Sequence, residues 1–211
     1  MLIEQIKSKD FTKHLIQFES VTSNIFAAKG FDFSTQKIIF DETLYKNDKW
    51  VRETNKSSKV PTYIEVNQKL LSEILSISKD TKSGLVRISI THPSPIFAQS
   101  LLNLIIKEIN AINSAKDKLN ASSAIEYLEN IKSKSKISSI QNAINNLIEM
   151  QIKTLMLIDI KDYYSIEPID TPYIPEVKAG PSRSLICITL TILGFMLSCL
   201  ISISLFFYKK N

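Results

Sequence analysis

Apolar and polar positions change rhythm several times along the chain, and each rhythm predicts a different element. From Leu2 to Phe18 the residues Leu2, Ile3, Ile6, Phe11, Leu15, Ile16 and Phe18 fit a helix that bends near Ser8–Asp10, where Ser8 or Asp10 would cap a second turn. SVTSNIFAAKGFD reads as a connector ending at Gly30, and KIIF at 37–40 as a short strand. The polar stretch DETLYKNDKWVRETNKSSK reads as a loop carrying the single tryptophan, Trp50. Pro61 suits a helix start, and Tyr63, Val66, Leu70, Leu71 and Ile74 form the buried stripe of that helix. Leu75 and Ile77, then Leu85, Val86, Ile88 and Ile90, alternate with serines and charges around KDTKSG. Gly84 supplies the positive φ of a tight loop, so this segment predicts a β-hairpin, stopped by Pro93 and Pro95.

From Ile96 the period becomes helical and stays so. Phe97, Leu101, Leu104, Ile105, Ile109, Ile112, Leu119, Ile125, Leu128 and Ile131 keep a three-and-four spacing without proline or glycine. About 38 residues at about 1.5 Å each make a rod near 57 Å. SKSKISS interrupts it, and a second helix resumes through Ile137, Ile140, Ile144, Leu147, Ile148, Gln151, Leu155 and Ile158. The pair predicts an antiparallel hairpin over about 96–160 whose exposed length invites packing against other copies of the chain. Beyond Asp162 the chain turns extended. Tyr164, Ile166 and Ile169 would add a strand to the base, and Pro168, Pro172, Pro175 and Pro181 make a stiff leader over 168–183. The last rhythm is continuous: Leu185 to Tyr208 carries no charge, between Arg183 and the pair Lys209, Lys210. Its roughly 24 residues would span about 36 Å as a helix, enough to cross a hydrocarbon core of about 30 Å. Gly194, Ser198 and Ser202, four apart on one face, would let such a helix pack closely against another.

These rhythms predict an α+β membrane protein. A small α/β base with the long helical hairpin occupies 1–183, a transmembrane helix 184–208 and a short basic tail 209–211. The chain of 211 residues leaves room for one compact extramembrane domain. Net charge is +5, but the lysines are interleaved with glutamates and aspartates rather than clustered, which speaks against a nucleic-acid partner. Both cysteines, Cys187 and Cys199, fall inside the apolar stretch, away from any disulfide or metal pattern. MLIEQIKSKDF carries charges where a signal peptide needs an apolar core. Read from Met1 alone, the chain would be tail-anchored with its domain in the cytoplasm.

Candidate chemistry narrows the picture by its scarcity. His14 sits on a charged helical face and His92 in the turn THPSP, neither with a cysteine or carboxylate at metal-ligand spacing. Ser94 lacks the glycine frame of a nucleophile elbow, and four glycines in all leave no phosphate-cradling loop. The expectation is a non-enzyme without cofactor or metal.

The opening IKSKDFTKHLI, the block IFAAKGFDFSTQKIIFDETLYKNDKWVRE and the run SISKDTKSGLVRISITHPSPIFAQSLLNLIIKEIN carry a further pattern. It continues in LIEMQIKTLMLIDIKDYYSIEPIDTPYIPEVKAGPSRSLI, where spaced prolines precede a basic residue and the apolar stretch. Together these segments resemble the bacterial Wzz-type polysaccharide chain-length determinants, or polysaccharide co-polymerases. Pro172, Pro175 and Pro181 stand where the family has its proline-rich segment. The resemblance implies a non-catalytic inner-membrane scaffold that sets the length of O-antigen, lipopolysaccharide or a related surface polysaccharide. Its implied partners are other copies of itself, the polysaccharide polymerase, the growing glycan and the lipid bilayer. Family members carry a first membrane helix and base strands before the point where Met1 falls. With that helix upstream, the domain would lie in the periplasm and Lys209–Asn211 in the cytoplasm. The alternatives are an adaptor for a separate tyrosine kinase in capsule or exopolysaccharide export, and a tail-anchored coiled-coil tether.

Overall fold

The computed structural model describes residues 2–53, 58–174, 187–198 and 201. Its contacts divide the chain into two units, Met1–Ile174 and Pro175–Asn211. The first unit begins with α1 (Leu2–Lys7), α2 (Lys9–Leu15) and α3 (Val21–Ala27), followed by β1 (Ala28–Asp32), β2 (Lys37–Phe40), β3 (Tyr45–Lys46) and β4 (Lys49–Trp50). Next come α4 (Tyr63–Lys69), a π-helical turn at Leu70–Ile74, and the strands β5 (Leu75–Lys79) and β6 (Val86–Ile90). Two long helices, α5 (Pro95–Lys134) and α6 (Ser138–Ile160), complete it.

Helix starts are set by side chains that satisfy free backbone amides. The Ser8 hydroxyl accepts from the Phe11 amide at 3.1 Å and so opens α2 immediately after α1. Thr62 and Glu65 form a reciprocal capping box on α4, with the Thr62 amide donating to Glu65 Oε2 at 2.8 Å. Ser94 accepts from the Phe97 amide at 3.2 Å, and Pro95 follows as the first residue of α5, where no amide donor is required.

The core gathers α1–α4, the π-helical turn, β5 and the first turns of α5. Ile6, Leu15, Ile25, Val66, Leu70 and Ile105 are almost wholly buried. α5 contributes Phe97, Leu101, Ile105 and Ile109, a single stripe at four-residue spacing. Two polar stitches cross this core. Asn67 donates through Nδ2 to Thr12 Oγ1 at 2.8 Å and to the Lys7 carbonyl at 3.2 Å, tying α4 to the α1–α2 junction. The buried Arg52 guanidinium donates to both Glu65 oxygens, at 3.2 and 3.0 Å, and to the Lys59 carbonyl at 2.6 Å. This pins the loop after β4 against α4.

Several expectations need correction. The segment read as a connector folds as α3 and β1, because Val21, Ile25 and Ala27 find the core. The segment read as a loop contains the β3–β4 hairpin, with Tyr45 opposite Trp50. The expected α/β base has no joined sheet: among the described residues the strands form three separate two-stranded antiparallel ladders, β1–β2, β3–β4 and β5–β6. No added strand forms over 164–169 either. The Ser165 and Ile166 amides are taken by the Asn110 side chain instead of a neighbouring strand, and Ile169 is solvent-exposed.

The largest correction concerns the second unit. Among the described residues no helix is long and apolar enough to cross a membrane. The continuous helix described there covers residues 187–198, about 18 Å against a hydrocarbon core of about 30 Å. The rest of the apolar stretch, apart from residue 201, lies outside the described residues. The expected C-terminal transmembrane helix at 184–208, and the single-span inner-membrane location that depended on it, are corrected accordingly.

Candidate assembly surface

Beyond Asn113 the hairpin leaves the core, and α5 and α6 pack chiefly on each other. On α6 the inward positions are 141, 144, 148, 151, 155 and 158, alternating three and four apart. Ile144 and Ile158 are the best covered of them. On α5 the matching positions are Asp117, Ala121, Ala124, Leu128 and Ile131, with Ala121 the most deeply buried. The small Ala121 and Ala124 at this seam let the two helices approach closely. Lys118 Nζ to Asp159 Oδ1, at 3.0 Å, adds an exposed ion pair across the seam that contributes at most about 1 kcal/mol.

One residue before each inward position, about 100° around the helix, α6 carries a second row: Ile140, Ala143, Leu147, Met150, Thr154 and Leu157. This row has the same alternating spacing, and among the described residues no element covers its large apolar side chains. Leu147 is 47 % exposed, Met150 59 % and Leu157 54 %. Single exposed apolar residues are ordinary, but here Ile140, Leu147, Met150 and Leu157 repeat at coiled-coil spacing along one face, interrupted only by Ala143 and the half-buried Thr154. Ile152 and Met156 are also exposed, but on the opposite flank of the same helix.

Where the hairpin meets the core, an open groove of about 650 Å³ runs between α5, the end of α6 and residues 161–172. Its far wall is fixed from beneath by Asn110. The Asn110 Oδ1 accepts the amides of Ser165 and Ile166, the latter at 2.9 Å, and its Nδ2 donates to the carbonyls of Ile106 and Ile166, both at 2.9 Å. The Tyr164 hydroxyl donates to Asp117 Oδ2 at 2.8 Å, and that carboxylate raises the Tyr164 pKa. Gln99 Nε2 donates to the Pro172 carbonyl at 2.7 Å.

Of the residues expected to matter, Pro172 lines this groove, while Pro175 and Pro181 lie outside the described residues. Gly194 and Ser198 lie one turn apart on the helix at residues 187–198, where the Ser198 hydroxyl donates to the Phe195 carbonyl at 2.8 Å. Ser202 lies outside the described residues. The histidines are structural clasps. His14 Nε2 meets Glu108 Oε2 at 2.7 Å, joining α2 to α5. His92 Nδ1 accepts the Ser94 amide at 3.0 Å, so Nε2 carries the proton and donates to the Asn24 carbonyl at 2.9 Å. Among the described residues no group of three or more metal-ligating side chains is present.

Burial outweighs the carbonyl contacts and holds the His92 pKa below its ordinary value of 6.5. The folded chain therefore binds fewer protons than the unfolded one just below that pH. The stabilisation is complete above about pH 6.5 and is lost as pH falls through the lowered folded value. Thermal unfolding followed between pH 7.5 and 5 should show a falling melting temperature, and His92→Gln should flatten that fall.

No family model matches the chain, and a search of curated proteins finds no match. What the chain does has to be read from its own surfaces. Asn110 was missed from sequence, standing beside an apolar stripe as an isolated amide, and Ile140 and Leu147, expected in one stripe with Ile144 and Ile158, lie instead on the exposed outer row.

Proposed function

We propose that this chain is a non-catalytic, self-assembling scaffold that regulates the length of a surface polysaccharide, in the manner of the Wzz-type co-polymerases it resembles. The observation that carries this reading is the uncovered apolar row on α6, set on a hairpin that extends past the core. Covering a half-exposed Leu, Ile or Met contributes about 1 kcal/mol. Pairing two rows of four such residues would then contribute about 8 kcal/mol, within the association cost of about 4–15 kcal/mol. A single pairing of hairpins is weak on this basis, whereas a closed assembly, in which each hairpin touches two neighbours, gains at every junction. A length regulator of this kind works by presenting many aligned hairpins to the growing glycan and its polymerase.

Deleting the gene and resolving the surface polysaccharide on a gel tests this reading. The expected result is a ladder that loses its preferred length and regains it on complementation. A length distribution that does not change on deletion overturns the proposal.

A further inference from the structure

The groove at the root of the hairpin has fixed walls and unspent side chains. Its far wall is held by the Asn110, Tyr164 and Gln99 bonds, so its shape is set before anything enters. By contrast, Asn103, Lys107, Lys161, Tyr163 and Thr171 line it with side chains that make no hydrogen bond or ion pair among the described residues. Lys107 and Lys161 outnumber the one aspartate of the lining, Asp162, so the groove favours a negative ligand. Tyr163, 43 % exposed, offers a ring face, and Asn103 and Thr171 offer neutral donors and acceptors. Ionic, amide, hydroxyl and aromatic groups along an open trough suit a chain that bears hydroxyls and carboxylates together. A volume of about 650 Å³ lies within the range of ligand sites.

We propose that this groove holds a segment of an acidic oligosaccharide, its carboxylates on Lys107 and Lys161 and a sugar face on Tyr163. The proposal rests on the polysaccharide reading above, which selects an acidic glycan over an acidic peptide of the same charge.

The test titrates the full chain with an oligogalacturonate, with its fully methyl-esterified, uncharged counterpart, and with a polyglutamate peptide of matched charge. Saturable binding of the oligogalacturonate is expected, with Lys107→Gln and Lys161→Gln each weakening it about tenfold. Both positions are exposed, so neither substitution disturbs the core. The esterified chain should bind no better than the double variant. The proposal is overturned by absence of saturable binding, by lysine variants that bind as the native chain does, or by equal affinity for polyglutamate. Light scattering on the same samples separates the two readings. An assembled chain that binds no oligogalacturonate defeats the groove and leaves the scaffold standing. A monomeric chain with lysine-dependent binding supports the groove and defeats the scaffold.

Discussion

Replacing Asn110 with alanine is expected to destabilise the first unit by about 3 kcal/mol, because two half-buried amides and a carbonyl lose their partner at once. The Asn110 side chain is 6 % exposed and serves the Ser165 amide, the Ile166 amide and the Ile166 carbonyl. In an ordinary sheet these groups would be satisfied by a neighbouring strand, but among the described residues no strand pairs with residues 164–169. Ile166 packs against the core, so freeing this segment also uncovers apolar surface. For a domain of this size the loss corresponds to a fall in melting temperature of roughly 8 °C. Asn113 is the internal control. It lies on the same helix, is half-buried and accepts one hydrogen bond, from Gln5 Nε2 at 2.8 Å. Asn113→Ala should cost no more than about 1 kcal/mol. Amide exchange gives the local readout, with protection lost at Ser165 and Ile166 in the Asn110 variant. Equal losses for the two variants would show that the segment is held by something other than the amide.

Charging the outer row of α6 is expected to abolish self-association while sparing the fold. Leu147 and Met150 sit at its centre and are about half exposed, at 47 % and 59 %. Leu147→Glu with Met150→Glu therefore removes little from the packed interior. In an assembly the two carboxylates would be desolvated against apolar neighbours without a counter-charge, which costs several kcal/mol. The dissociation constant should rise by about 100-fold or more, equivalent to roughly 3 kcal/mol. Light scattering across a concentration series measures it. Ile144→Glu provides the contrast: Ile144 is 5 % exposed against α5, so its substitution should unfold the hairpin rather than merely separate copies.

The sequence disclosed the elements whose periods are long or whose turns have specific chemistry. The helical rhythm from Ile96 corresponds to α5, the Ser8 break to the α1–α2 junction, and Gly84 with its φ of 73° to the β5–β6 turn. Short elements escaped notice because tertiary contacts decide them. α3 and β1 exist because Ile25 and Ala27 meet the core, which no local pattern announces. The strand expected at 164–169 failed for a related reason: its alternation was present, but a single side chain supplies what a partner strand would have. Apolar length misled at the C-terminal end, where an uncharged run of residues was read as a span and the described helix covers only residues 187–198. The site was less legible than the fold. Inner and outer rows of α6 are one residue apart and chemically alike, so only burial tells the face against α5 from the free one.

The central claim is that the outer row of α6 assembles copies of the chain into a regulator of polysaccharide length. The most direct measurement is the surface-polysaccharide ladder of cells whose only copy carries Leu147→Glu and Met150→Glu, with protein level checked by immunoblot. The predicted result is polymer still made but spread over lengths without a preferred cluster, as in the deletion strain. A preferred length identical to that of the native strain, at equal protein level, would contradict the account.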